Sequence, residues 1–100
     1  MASFNKVILL GYLTETPELK KTQSGVSVTS FRIGVSRKVV KDADQKTDFI
    51  NIICWRERAE FVCRNFTKGN AILVCGSLQT RSWLDNDVKR YTTEVVADEV

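Results

Sequence analysis

The sequence of 100 residues contains no histidine, one proline and three cysteines. Without an imidazole it lacks the usual general base and the commonest metal ligand. It also has no glycine-rich phosphate loop and no nucleophile motif. Glu57 and Glu60 lie close together, but beside Arg56, Arg58 and Arg64 they read as a solvated charged helix face rather than an acid–base pair. The chain is therefore read as a binding protein, not an enzyme, with no cofactor and no metal. Cys54, Cys63 and Cys75 are nine and twelve residues apart with no Cys-x-x-Cys pair. An odd count at that spacing excludes a disulfide framework and a zinc site, and leaves small buried hydrophobes in a reducing cytosol. No stretch approaches the ~20 apolar residues of a membrane span, and residues 1–6 are too short and polar for a signal peptide. A soluble cytoplasmic protein with no membrane partner is expected.

Charge of one sign is scarce as well. Fifteen Lys and Arg against twelve Asp and Glu give +3, an excess too small to identify a nucleic-acid binder without regard to where the charges fall. What the chain does have is 43% hydrophobic residues, enough for one core, and residues 1–100 are read as a single domain.

The stretch most informative about function is Asp48-Phe49-Ile50-Asn51-Ile52-Ile53-Cys54-Trp55. It has the length and β-branched composition of a strand. Alternation puts Ile50, Ile52 and Cys54 on a core face, and Phe49, Asn51, Ile53 and Trp55 on the other. Two rings roughly 20 Å apart with an amide between them suit two bases of an extended single strand. Burial of both faces explains the pattern equally well, so the rest of the chain has to decide.

Residues 6–13 are apolar on both parities, which predicts a strand covered on both sides, the outer side by a second copy of the chain. Pro17 marks a turn over residues 14–18, with Leu19 packed beneath it, and residues 23–25 form a tight turn. Residues 26–35 read as a strand whose apolar parity switches, from Val26 and Val28 to Phe31, Ile33 and Val35. A β-bulge near Thr29 and Ser30 would produce the switch, and Gly34 suits a bend or a close approach. Residues 36–47 are the most polar and read as a strand extension ending in a hairpin loop, basic through Arg37, Lys38, Lys41 and Lys46 despite Asp42 and Asp44. Ala59, Val62, Cys63 and Phe66 make one apolar face of a helix over 57–66, closed by a Lys68-Gly69 cap; this helix is a core plug. A strand follows over 70–83, with Arg81 and Trp83 on one face. Residues 84–88 turn, and 89–97 return as the last strand.

Three strands, a short helix and two strands is the order of the OB-fold. The fold class is thus all-β with one short α-helix, a five-stranded Greek-key barrel with the helix between strands three and four. The chain also resembles the bacterial and phage single-stranded DNA-binding proteins of the homotetrameric type along nearly its whole length. The resemblance is carried by Asn5-Lys-Val-Ile-Leu-Leu-Gly-Tyr-Leu13 with Pro17-Glu-Leu19, Asp48-Phe-Ile-Asn51, Trp55-Arg56, Ala59-Glu60, Lys68-Gly69, Gly76-Ser-Leu-Gln-Thr-Arg-Ser-Trp83 and Arg90-Tyr-Thr-Thr-Glu-Val95. It implies a homotetramer of OB-folds wrapped by single-stranded DNA, acting in replication, recombination and repair, cytoplasmic and nucleoid-associated. Phe49, Trp55 and Trp83 fall where such proteins place stacking aromatics, and Arg81 falls in the basic segment before the last of them. Where the family usually carries a further aromatic, after the second strand, the nearest match here is Val39. Its members usually continue into a tail with an acidic tip that recruits replication and repair proteins. Because the sequence stops at Val100, as a trimmed form or a tailless relative, such recruitment is not expected of it as given.

Chemistry gives the same site independently. Lys6, Arg32, Arg37, Lys38, Arg56 and Arg81 would meet phosphates, an attraction that weakens with salt. Phe49, Trp55 and Trp83 would stack bases at about 1–3 kcal/mol each, with Arg81 adding a cation–π term. Asn51 would bond a base edge, a phosphate or simply a neighbouring side chain. A dimer contact through residues 6–13 is expected. The rival function is an OB-fold protein-interaction module of a primosome-type assembly with weak affinity for single strands.

Overall fold

The computed structural model describes residues 2–38, 41 and 44–100. Its strands are β1 (Val7–Leu13), β2 (Lys20–Lys21), β3 (Ser27–Ser36), β4 (Thr47–Trp55), β5 (Ala71–Asp85) and β6 (Val88–Glu99), and the helix α1 (Glu57–Asn65) lies between β4 and β5. Strand pairing runs β1-β5-β6-β4-β3, and a β1–β3 pairing closes the ring. All pairs in the ring are antiparallel except β4 with β6. This is the OB-fold barrel expected from element order, with the two-residue β2 as an addition on the outer side of β3. Closure depends on a close backbone approach: a Cβ on Gly11 would lie 2.6 Å from the Gly34 carbonyl oxygen.

The core is filled from alternate positions of the strands. Ile33, Ile52, Val74 and Cys54 are fully buried, together with Ala59 and Val62 from α1, which plugs one end as its apolar stripe predicts. Burial pushes the Cys54 thiol up to about 12, with nearby Cys63 adding to the shift. It stays protonated near neutral pH and is inert there.

Several details differ from expectation. No bulge interrupts β3, whose register with β4 is continuous from Val28↔Trp55 to Ser36↔Thr47. Ser27 and Thr29 take inward positions in place of Val26 and Val28, and the Thr29 hydroxyl donates to the Glu18 carbonyl at 2.8 Å. The register shift lies instead between Cys75 and Gly76, opposite β6. Pro17 is buried and Leu19 is half-exposed, the reverse of the predicted packing. The helix stops at Asn65 with Phe66 already extended. Gly69 is therefore not its cap. Its positive φ of 89° serves the turn before β5, where its N–H donates to the Leu13 carbonyl at 2.9 Å.

The last hairpin is longer than predicted. β5 and β6 stay paired out to Asp85↔Val88, and Asn86 and Asp87 both take positive φ, as a two-residue turn of the type favoured between twisted strands requires. Leu78, on the same side of β5 as the buried Ile72 and Val74, is 47% exposed because it lies where the hairpin leaves the ring. At that point the Asn5 side chain substitutes for a missing strand: its Nδ2 donates to the Leu78 carbonyl at 2.7 Å, and its Oδ1 accepts from the Leu78 N–H at 2.8 Å. No described helix is long and apolar enough to cross a membrane.

Candidate nucleic-acid interface

Strand register determines which side chains share the outer surface, because directly paired residues point to the same side. Ser30 pairs with Ile53, Arg32 with Asn51 and Gly34 with Phe49. Ile53 pairs with Val96 across the parallel junction, and Val96 in turn pairs with Ser77. Farther along the hairpin Gln79 pairs with Glu94, Arg81 with Thr92 and Trp83 with Arg90. One continuous outer face thus runs from β4 across β6 to the projecting half of β5.

At the centre of that face is a hollow of about 440 Å³ where Ile53 and Trp55 meet Gln79, Arg81 and Glu94. Trp55 is 40% and Trp83 44% exposed, large fractions for indoles in a folded chain. The Arg81 guanidinium lies 5.1 Å from the Trp83 ring centroid. Its Nε donates to Glu94 Oε1 at 2.9 Å, and the Glu94 side chain is only 9% exposed. Arg81 is held in position by a buried carboxylate, with its guanidinium over the indole. The sequence reading had it meeting phosphates, but its charge is already compensated locally.

Phe49 is 61% exposed at the far end of β4, beside Gly34, where a Cβ would lie 3.4 Å from the phenyl Cε1. The absent side chain leaves that ring open. Asn51 Oδ1 accepts from Arg32 Nε at 3.5 Å, so these two polar side chains are engaged with each other. Arg37 makes a bidentate pair with Asp48, both bonds at 2.9 Å. Those hydrogen bonds hold the Asp48 carboxyl below the usual carboxylate range and push the Arg37 guanidinium up. Lys38 is exposed next to it. Arg56, with φ 59°, stands at the junction of β4 and α1 and lines the hollow on the helix side of Trp55. Lys6 is exposed one residue before the Val7–Gly76 pair, at the root of the hairpin rather than beside the rings. Val39, the position of the missing aromatic, and Asp42 lie outside the described residues.

The structure therefore brings Trp55 and Arg81 around one hollow, with Trp83 beyond it against Arg81, and sets Phe49, Asn51 and Arg32 along the same sheet face. Arg37, Lys38 and Lys6 lie apart from it. Sequence reasoning missed Glu94 and Gln79. Glu94 lies thirteen residues from Arg81, and only the hairpin register, set by the Asn86-Asp87 turn, brings the two together. Tyr91, 70% exposed with the Lys89 ammonium 5.5 Å from its ring centroid, pairs with Ser82 and so lies on the other side of the hairpin from Arg81 and Trp83. Among the described residues no three Cys, Asp or Glu side chains are grouped to hold a metal ion.

Comparison with known proteins gives consistent results. Residues 4–100 match the profile of the Single-strand binding protein family. A protein of Caldanaerobacter subterraneus subsp. tengcongensis named single-stranded DNA-binding protein is 46% identical over 98 residues, which cover 96% of this chain and 65% of that relative. A protein of the same name from Clostridium tetani is 45% identical over 98 residues, with 96% and 68% covered. The chain thus spans about two thirds of the length of these relatives. Among solved structures, a Plasmodium falciparum SSB in complex with ssDNA superposes with a TM-score of 0.87 at 26% identity, covering 97% of this chain and 88% of that one.

Proposed function

The chain belongs to the single-strand binding protein family, and from that premise we propose that residues 1–100 form one domain that binds single-stranded DNA without regard to sequence. The observation that carries this reading is that, on one outer sheet face, the exposed Trp55 lines a hollow with Arg81, and Arg81 in turn lies over the exposed Trp83 ring. Flat exposed rings offer stacking surfaces to any base, and a duplex hides the base faces they need. Arg32, Arg56, Lys38 and Lys6 supply the sequence-independent attraction to phosphates, while Arg37, held by Asp48 as Arg81 is by Glu94, adds little. Phe49 extends the stacking row along β4, and Asn51 orients Arg32. Arg81 steadies Trp83 rather than neutralising a phosphate. Such a protein acts by covering and protecting exposed strands during replication, recombination and repair, in the cytoplasm with the nucleoid, and turns nothing over.

The test is tryptophan fluorescence during titration with oligo-dT, at low and high salt, with a duplex of equal length as control. Quenching by the single strand alone, with a midpoint that weakens as salt rises, is expected. Unquenched emission at low salt would refute stacking at Trp55 and Trp83 and favour a protein-interaction module.

Assembly belongs to the same proposal. Ile8, Leu10 and Tyr12 are 62%, 65% and 61% exposed on the outer side of β1, and Leu73 beside them on β5 is 52% exposed. A row of this kind on a sheet is an aggregation hazard unless a partner covers it. We infer that a second copy does so, and that two such dimers form a tetramer. Leu10→Glu puts a charge in the middle of the row. Light scattering at micromolar concentration is expected to give a tetramer mass for the parent and a smaller mass for the variant; a monomeric parent would refute the assembly.

A further inference from the structure

Trp55 stands between two hollows. One is the groove that reaches Arg81 and Glu94. The other, about 540 Å³, opens between β6 and α1, and Trp55 and Val96 line both. Into the second hollow α1 presents Phe61, Arg58 and Arg64. Successive members of that set are three positions apart, so they form one stripe on the helix, turned away from the buried Ala59 and Val62. Arg56 completes the lining. Glu57 and Asp98 also contribute, so three guanidinium groups face two carboxylates.

Two features set this stripe apart from an ordinary solvated helix face. The first is that, among the described residues, Arg56, Arg58 and Arg64 are in no ion pair, whereas Arg37, Arg81 and Arg90 each have a carboxylate partner. The second is Phe61, 42% exposed in the midst of charge. Phe66 contacts it edge-on, with centroids 6.3 Å apart and planes at 64°. That contact fixes the phenyl ring and leaves it half-exposed to solvent. Unpaired arginines interleaved with a fixed, exposed ring, continuous with the aromatic face through Trp55, make the pattern of a track for a single strand.

We propose that this hollow is a second stretch of the DNA-binding surface. A strand leaving Trp55 crosses the exposed side of α1, with Phe61 stacking a base and Arg58 and Arg64 meeting the phosphates on either side of it. The inference rests on the single-strand reading above. It assigns to the helix, read from sequence as a core plug, a direct contact with the ligand.

The experiment compares the parent chain, the double variant Arg58→Ala with Arg64→Ala, and Phe61→Ala. Fluorescence anisotropy follows labelled oligo-dT of about 5 and about 20 nucleotides, one near the lower limit of site sizes for one OB-fold and one beyond the upper limit, across a salt series. On the longer strand the arginine variant is expected to bind about tenfold more weakly. Its slope of log K against log salt should be shallower by about 1.4, two phosphate contacts at about 0.7 each. Phe61→Ala should weaken the longer strand several-fold at an unchanged slope. Both should bind the shorter strand like the parent. Thermal melts check folding, and Arg58→Gln with Arg64→Gln repeats the test if the alanine pair melts early. A parent-like slope on the longer strand, or equal losses on both lengths, would overturn the second stretch. Absence of binding by the parent itself would overturn the single-strand reading instead.

Discussion

Gly76→Ala is expected to lower folding stability by about 3 kcal/mol, at the upper end of what overpacking costs. Gly76 sits where the β5–β6 register shifts. A Cβ at that position would lie 2.0 Å from the Val96 carbonyl oxygen, 2.8 Å from its carbon and 3.0 Å from the Ala97 Cα. All three are backbone atoms of the partner strand, so no side-chain rotation relieves the clash. The ladder must open instead. Val96 also pairs with Ile53 of β4, so the displacement passes to the parallel junction that holds the ring together. In urea unfolding at fixed protein concentration, a denaturation midpoint lower by more than about 1 M is expected, given slopes of about 1–3 kcal/mol/M for small proteins. A midpoint unchanged within error would mean that the register shift widens freely, and would remove this account of Gly76.

The second large effect concerns binding. Replacing Trp55 and Trp83 together by Ala removes the ring that lines the central groove and the ring over which Arg81 lies. At about 1–3 kcal/mol per stacked base the losses sum to about 2–6 kcal/mol, or roughly thirty-fold to twenty-thousand-fold in affinity for oligo-dT. These are the chain's two tryptophans, so the variant is followed by anisotropy of a labelled strand rather than by its own emission. The salt dependence should barely change, since Arg81 is already paired with Glu94 and no phosphate contact is deleted. Affinity within twofold of the parent would show that neither ring touches the strand.

Much of this site was legible in residues 48–55. Alternation alone puts Ile52 and Cys54 on one face and Phe49 and Trp55 on the other, and the structure buries the first pair and exposes the second, which the pattern by itself left open. Pattern reading failed where a polar side chain takes an inward position. Thr29 is buried because the Glu18 carbonyl, eleven residues earlier, accepts its hydroxyl, and no local pattern reveals a partner at that distance. The apolar Val26 and Val28 were taken for the core face in its stead, and a bulge had to be supposed to reconcile them with Phe31. The partner of Arg81 is hidden for a related reason: a cation reads the same in sequence whether or not it holds Glu94 across a hairpin. The helix was read correctly from its buried side, and its other side was set aside as charge in solvent, since a sequence does not show which of Arg56, Arg58 and Arg64 have partners.

The Asn5 amide has a consequence for how this molecule keeps from polymerising. The ring has no edges, but the hairpin beyond it does. Where β1 ends, the backbone of β5 would begin to offer unpaired N–H and C=O groups to any extended segment that came alongside. Asn5 occupies the first such pair, at Leu78. A neighbouring molecule adding its own strand must then start at Thr80, without the closed ladder of β1 to lie flush against. From there the hairpin carries Arg81, Asp85, Lys89, Arg90 and Glu94, and charges along an edge oppose the stacking of like strands. One amide side chain thus separates a surface that can afford to be open, because it must admit a flexible ligand, from a template for fibrils.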